Sequence, residues 1–353
     1  EINMGVDAFR DSLYAMLKRN TFLNIKFENM LDTLGQMSRT DIYSSLKEWE
    51  QLTPLPFYSI GEPELTKVVN KGGEEFFVLK VLVSNNSDYD GIIQMNVLQN
   101  GWWYQPLEDP RARKKVEIAA HTTKEFVSVW EEQIREVEVN TMISGNLPYM
   151  IRQSIGNVKQ ERNKIVKDSI YTLPESSLEM PGEIIVDNED STLFVLSTPP
   201  VVGLLPKWLD EVEETPFKYS GISWWRAPLQ WTATTNAKYY GKYIRSAYVI
   251  KSGDGSQTAT WKIPVPEAGQ YELYYYVFKN DELRWNDRLQ GEYHFRVAYD
   301  SEVEDAYINL RKANEGWEQL GTYYFSADTV RVVLTDECKL RSVTADAVKI
   351  VKR

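Results

Sequence analysis

Gln270-Tyr271-Glu272-Leu273-Tyr274-Tyr275-Tyr276-Val277-Phe278 decides the fold class. The run is rich in aromatic side chains and bounded upstream by Pro264, Pro266 and Gly269, which is the composition of a strand. Similar runs surround it at 184–186, 194–197, 243–250, 259–263, 292–299, 316–325, 329–334 and 345–351. Such a series over about 170 residues fits one jelly-roll sandwich, here spanning 183–353. Gly253-Asp254-Gly255 reads as a hairpin turn between the runs at 243–250 and 259–263. No fixed-period repeat is present, which argues against a solenoid or propeller.

Upstream, residues 58–147 carry a second series of short strands: 76–83, 91–98, 115–119, 125–130 and 137–142, separated by turn clusters such as Ser84-Asn85-Asn86-Ser87-Asp88. That spacing predicts an immunoglobulin-like β-sandwich. Trp102-Trp103-Tyr104 follows the turn Gln99-Asn100-Gly101. Adjacent strand residues face opposite sides, so only one of these two indoles can enter the core. Residues 148–182 read as a connector, with a polar helix carrying Ile151, Ile155, Val158, Ile165 and Val166, followed by a Ser/Glu/Pro linker. Residues 1–57 are helical. Phe9, Leu13, Met16 and Leu17 form one stripe, and Ile25, Phe27, Met30, Leu31 and Leu34 another; a third helix carries Ile42, Leu46 and Trp49 before Pro54 and Pro56. Three short helices make a thin core and suggest the remnant of a larger layer. The fold class is therefore mainly β: a short N-terminal helical segment, an immunoglobulin-like sandwich, then a jelly-roll sandwich.

Composition narrows the function. The 353 residues include 40 basic and 51 acidic side chains, a net charge of −11. An acidic chain without a dense cationic run is a poor nucleic-acid binder. Eleven Trp and 21 Tyr stand against two His, His121 and His294. Neither His has a second His four residues on, so there is no HExxH zinc motif, and no nucleophile elbow or phosphate-binding loop is present. The lone Cys338 excludes an internal disulfide. No apolar run approaches the roughly 18 residues of a membrane span. The chain starts at Glu1 directly in a helical pattern, which reads as a piece of a longer protein whose signal or membrane span could lie elsewhere.

Two segments resemble known families. Ile185-Val186-Asp187-Asn188-Glu189-Asp190, Tyr239-Tyr240-Gly241, Ala259-Thr260-Trp261, Gly269-Gln270-Tyr271-Glu272-Leu273-Tyr274, Gly316-Trp317-Glu318-Gln319-Leu320-Gly321-Thr322-Tyr323-Tyr324-Phe325 and Ala345-Asp346-Ala347-Val348 occur in an order that resembles the golvesin C-terminal-like domain, found also in xanthan-lyase-like proteins as a carbohydrate-binding module. The resemblance implies a jelly roll in a secreted or cell-envelope protein, periplasmic or extracellular, with insertions at 199–228 and 281–289. More weakly, Gly5-Val6-Asp7-Ala8-Phe9, Phe27-Glu28-Asn29-Met30, Asp41-Ile42 and Leu55-Pro56 resemble the last helices of the catalytic domain of aminopeptidase-N-type zinc metallopeptidases. That family's zinc motif would lie upstream, and none of its catalytic residues can be placed on this chain.

The candidate binding residues are aromatic. Trp224, Trp225, Arg226, Trp231, Tyr239 and Tyr240 lie close together with Lys242 and Tyr243, and the loop Trp285-Asn286-Asp287-Arg288 would form a second lip. Indole and phenol faces suit the C–H faces of sugar rings, while polar neighbours take the hydroxyls. The competing reading is that these rings fill the core or an interdomain seam. Asp187, Glu189 and Asp190 offer the hard oxygens that calcium takes, although Asx caps on the turn after the first strand explain them as well. Asp346 is expected to be a buried structural carboxylate. No other cofactor is expected. The chain thus reads as the non-catalytic C-terminal portion of a larger peptidase-like envelope protein, binding a polysaccharide or cell-envelope component. Two alternatives are a pure scaffold for the missing N-terminal domain and a metallopeptidase activity confined to the parent protein.

Overall fold

A computed structural model describes residues 6–21, 26–38, 54–98, 109–156, 158–162, 166–178, 182–197, 217–222, 226–279 and 291–353. Two helices, α1 (Val6–Arg19) and α2 (Phe27–Ser38), open the chain. Asp7 in the first turn of α1 and Lys18 and Arg19 in its last complement the helix dipole. The Asn20 side chain closes the helix on the Met16 carbonyl (2.8 Å). The pair buries Met16, Leu31 and Leu34 but leaves Tyr14, Leu17 and Phe27 exposed, the thin core that the sequence implies. The expected third helix and Trp102-Trp103-Tyr104 lie outside the described residues. Among the described residues, no helix is long and apolar enough to cross a membrane.

The first sandwich contains β1 (Tyr58–Ile60), β2 (Glu64–Val69), β3 (Glu75–Asn85), β4 (Gly91–Leu98), β5 (Arg113–Ile118), β6 (Thr122–Trp130), β7 (Glu136–Asn140), β8 (Met150–Ser154), β9 (Val158–Arg162) and β10 (Ser169–Pro174). One sheet runs β10-β6-β3-β2-β9 with β1 also on β3, and the other runs β5-β4-β7-β8. Leu79, Val81 and Val83 of β3 meet Ile93, Met95 and Val97 of β4 in a core with Phe126 and Trp130. Gly91 is dictated by Tyr58, because a Cβ there would come within 1.9 Å of the Tyr58 hydroxyl.

The expected helix over 148–170 is corrected: the segment supplies β8, β9 and the start of β10. The spacing of Ile151, Ile155 and Val158 fits a helix, yet Gly156 interrupts it, and the open sheet edges offer stronger pairing. β8 joins β7 with Ile151 opposite Val139, β9 lies parallel to β2, and β10 lies on β6.

The second sandwich holds β11 (Glu183–Val186), β12 (Phe194–Ser197), β13 (Thr232–Thr235), β14 (Ser246–Lys251), β15 (Thr258–Pro264), β16 (Gly269–Val277), β17 (Glu292–Tyr299), β18 (Glu302–Asn309), β19 (Gly316–Phe325), β20 (Thr329–Thr335), β21 (Ser342–Ala345) and β22 (Val348–Lys352). Its sheets run β11-β22-β16-β19, β12-β15-β20-β17-β18 and β13-β14-β21. Trp261, Tyr271, Leu273, Tyr275, Phe295 and Phe325 fill the core. Trp261 contacts Phe194 at 5.4 Å and Tyr275 at 6.1 Å, and Tyr275 contacts Phe295 at 5.0 Å. Gly253-Asp254-Gly255 is not a hairpin turn. β14 and β15 lie in different sheets, so the turn crosses between them, with Gly253 donating to the Asp336 carbonyl (2.9 Å). The expected strand at 345–351 is two strands in two sheets. The corner between them holds Asp346, which is fully buried as expected.

Candidate functional site

A cleft of about 300 Å³ opens between the two sandwiches. Its second-sandwich wall is aromatic. Tyr276 on β16 stands directly opposite Trp317 on β19, and their rings meet edge to face at 5.1 Å. Tyr240, from the loop between β13 and β14, tilts onto both, at 5.5 Å from Tyr276 and 5.0 Å from Trp317. The Lys349 ammonium lies 4.7 Å from the Trp317 ring centre and is held by Glu183 (3.1 Å). The three rings are half-buried.

The loop that presents Tyr240 is pinned from below. Asn236 accepts from the Lys238 backbone (3.0 Å) and donates through its own backbone to the Arg245 carbonyl (3.2 Å). The Tyr240 amide donates to Asp346 Oδ2 (3.2 Å), so the buried corner carboxylate sets the ring's position. Gly241 has φ of 147°, and a Cβ there would come within 1.9 Å of the Ile244 carbonyl oxygen.

Arg245 forms the cleft floor and is 5% exposed. Its Nη1 donates to the Tyr239 carbonyl (3.1 Å), and its Nη2 reaches the Gln153 side-chain oxygen (3.3 Å). Its Nε has no partner and is buried. Burial pulls the guanidinium below its ordinary value. Burial, then the neighbouring Asp187, push the Asp346 carboxyl well up, against the pull of Arg245. Burial also raises the Tyr240 and Tyr276 phenols, so both remain neutral donors.

The first sandwich supplies a polar wall. Glu175 accepts from Asn86 Nδ2 (2.8 Å) and pairs with His121 Nδ1 (2.9 Å), whose Nε2 reaches Asp88 (2.8 Å). These bonds lower Glu175, chiefly through Asn86, and raise His121, chiefly through Asp88. His294, the other histidine, lies between Asp305 (2.7 Å) and Glu337 (3.5 Å). A second hollow, about 430 Å³ on the first sandwich, is lined by two ion pairs, Lys80 with Glu125 (2.8 Å) and Lys159 with Glu64 (3.1 Å).

Of the expected binding residues, the structure brings Tyr240 to the cleft. Trp231 and Tyr239 are buried, at 9% and 4% exposure, and are corrected: a ring closed in the protein interior has no free face for a sugar. Trp231 belongs to the main core, and Tyr239 packs edge-on against Phe278 at 4.7 Å. Arg226 is exposed on the loop before β13. Trp224, Trp225, Trp285, Asn286, Asp287 and Arg288 lie outside the described residues. Sequence reasoning missed Tyr276, Trp317 and Arg245. Strand alternation does place Tyr276 on the face opposite Tyr275, but only the β16–β19 register puts Trp317 beside it.

Asp187, Glu189 and Asp190 are turned to other tasks. Glu189 takes Lys218 (2.5 Å), Tyr219 (3.0 Å) and the Ser246 hydroxyl, while the Asp190 backbone donates to the Asp187 carbonyl (3.1 Å) to close the turn. Burial, aided by Glu189 and Asp190, pushes Asp187 up to about 8. Among the described residues, no group of three or more His, Cys, Asp or Glu is placed to hold a metal ion.

No curated protein matches the chain. Among solved structures, it is similar to a Podospora anserina GH26-CBM35 β-(1,4)-mannanase (12% identity, TM-score 0.25, 49% of this chain and 28% of that chain). It is also similar to the CBM35 from Cellvibrio japonicus Abf62 (10%, 0.23, 32% and 75%) and to an exo-β-1,3-galactanase from Phanerochaete chrysosporium (7%, 0.30, 82% and 68%). The chain thus spans about a quarter of the mannanase's length. Residues 225–352, which hold β13 to β22, match the family model of the Golvesin C-terminal domain.

Proposed function

We propose that this chain binds and positions a polysaccharide of the cell envelope or its surroundings, with the inter-sandwich cleft as a sugar subsite. The observation that carries this reading is the convergence of Tyr240, Tyr276 and Trp317 over the buried Arg245, whose Nε is unpaired. Half-buried rings supply apolar faces for a pyranose, and neutral phenols, a guanidinium and the Gln153 amide supply hydrogen bonds to its hydroxyls. The chain performs no chemistry of its own. The resemblance of residues 1–57 supports a peptidase-like parent, and that of residues 183–353 a secreted or envelope-facing role.

The test is a glycan microarray probed with the whole chain, followed by titration of the best binder. Trp317→Ala and Tyr240→Ala should each weaken binding about tenfold, equivalent to 1.4 kcal/mol, with circular dichroism unchanged. Affinity unchanged in both variants, or no binder on the array, overturns the reading. A scaffold role is the second reading, favoured by the hydrogen-bonded seam between the sandwiches, where Leu147 donates to the Tyr243 carbonyl (3.0 Å) and accepts from the Arg245 amide (2.7 Å). An array without a binder would leave that role standing.

A further inference from the structure

The outer face of the β12-β15-β20-β17-β18 sheet carries a row of cations. Alternation buries Trp261 and Ile263, Val330 and Val332, and Phe295 and Val297, so Lys262, Arg331 and Arg296 point outward. Register places Lys262 directly opposite Arg331, Arg331 opposite Ala298, and Arg296 opposite Val333, two residues along β17. Neighbouring strands lie about 4.8 Å apart, so the three cations occupy one small patch. Among the described residues, none of them has an ion pair. Asp305, across the ladder from Arg296, is turned to His294 (2.7 Å), which also faces Glu337 (3.5 Å). Like charges directly opposite on a sheet destabilise it. In a chain of net charge −11, acidic partners are plentiful, so an uncompensated cationic row is a feature that stability alone does not favour.

We propose that this face is a second binding surface, independent of the cleft, for an acidic polysaccharide of the polyuronate class. Tyr307, exposed and stacked on His294 at 4.9 Å, adds an aromatic shelf beside the cations. Three cations suit a polymer with one carboxylate per sugar ring. Duplex nucleic acid is a poor match, since it draws on roughly six to ten phosphate contacts and would be repelled by the net charge.

The experiment is affinity electrophoresis and titration of the whole chain with polygalacturonate, with dextran as the neutral control. Polygalacturonate should retard the chain while dextran does not, and raising salt from about 50 to 200 mM should weaken the binding. The double variant Arg296→Glu/Arg331→Glu should lose affinity about tenfold or more, whereas Trp317→Ala should retain it. Arg331→Thr removes the opposed like charges, so it should weaken binding while holding or raising the thermal midpoint, which separates lost binding from lost folding. The proposal is overturned if polygalacturonate does not bind, if the double variant binds as well as the parent, if Trp317→Ala abolishes the binding, or if duplex DNA binds as tightly.

Discussion

His121 shows how one residue can tie a cleft wall to a distant turn. Its backbone is left-handed, with φ of 53°, a conformation that His and Asn tolerate better than most side chains. From there the ring bridges Asp88 and Glu175, and hydrogen bonds to both carboxylates raise its pKa. A raised folded-state pKa means the stabilisation is complete below the unfolded value near 6.5 and fades as pH climbs through the folded one. Glu175 is lowered, so its share is present above its ordinary range near 4.5 and is lost as pH falls. The clasp is therefore strongest between about pH 4.5 and 6.5. His121→Asn keeps the backbone and deletes the clasp. Its thermal midpoint should fall furthest below the parent's near pH 5.5 and approach it as the pH climbs through the raised His121 pKa, in a scan across buffers. A gap independent of pH would contradict the clasp.

At the scale of elements, the aromatic strands carry the stability and the β13–β14 loop lines the cleft. Trp261 is fully buried, and its indole N–H donates to the Asp346 carbonyl (3.1 Å). Trp261→Ala should cost about 3–5 kcal/mol in urea unfolding, because the cavity lies between two sheets that cannot collapse onto it. Gly241→Ala acts locally. The new methyl collides with the Ile244 carbonyl and must displace the loop, so the midpoint should drop modestly while Tyr240 leaves the Trp317 ring. A change in the Trp317 emission spectrum, referenced to Trp317→Phe, would report it. Strands built from regular aromatic or branched alternation, such as β16, β17 and β19, are legible in the sequence. β13, β18 and β21 were not, because Thr232-Ala233-Thr234-Thr235 is short and polar, Glu302-Val303-Glu304-Asp305 is an acid-rich edge, and the break at Asp346-Ala347 hides inside an apolar run.

For the whole molecule, the seam makes one body of two sandwiches. Asn146 is its pivot: its oxygen accepts from the Tyr58 amide (2.9 Å), and its nitrogen donates to the Tyr58 (2.8 Å) and Tyr243 (3.3 Å) carbonyls. Lys238 of the second sandwich reaches Glu136 of the first (3.4 Å) and Glu315 (3.1 Å). Asn146→Ala leaves buried backbone groups unpaired, at a cost of about 1–3 kcal/mol. Calorimetry should show one transition for the sandwiches in the parent and two in the variant; a single transition in both would place the coupling elsewhere. The mainly β class and the aromatic strands of the second sandwich follow from local composition and side-chain alternation, which the sequence determines by itself. That Tyr240 faces a cleft while Tyr239 is buried, that Trp317 meets Tyr276, and that three cations line one sheet face depend on register and on the seam. Those contacts join residues far apart in the chain, and only tertiary hydrogen bonding and packing choose among the pairings that local pattern allows.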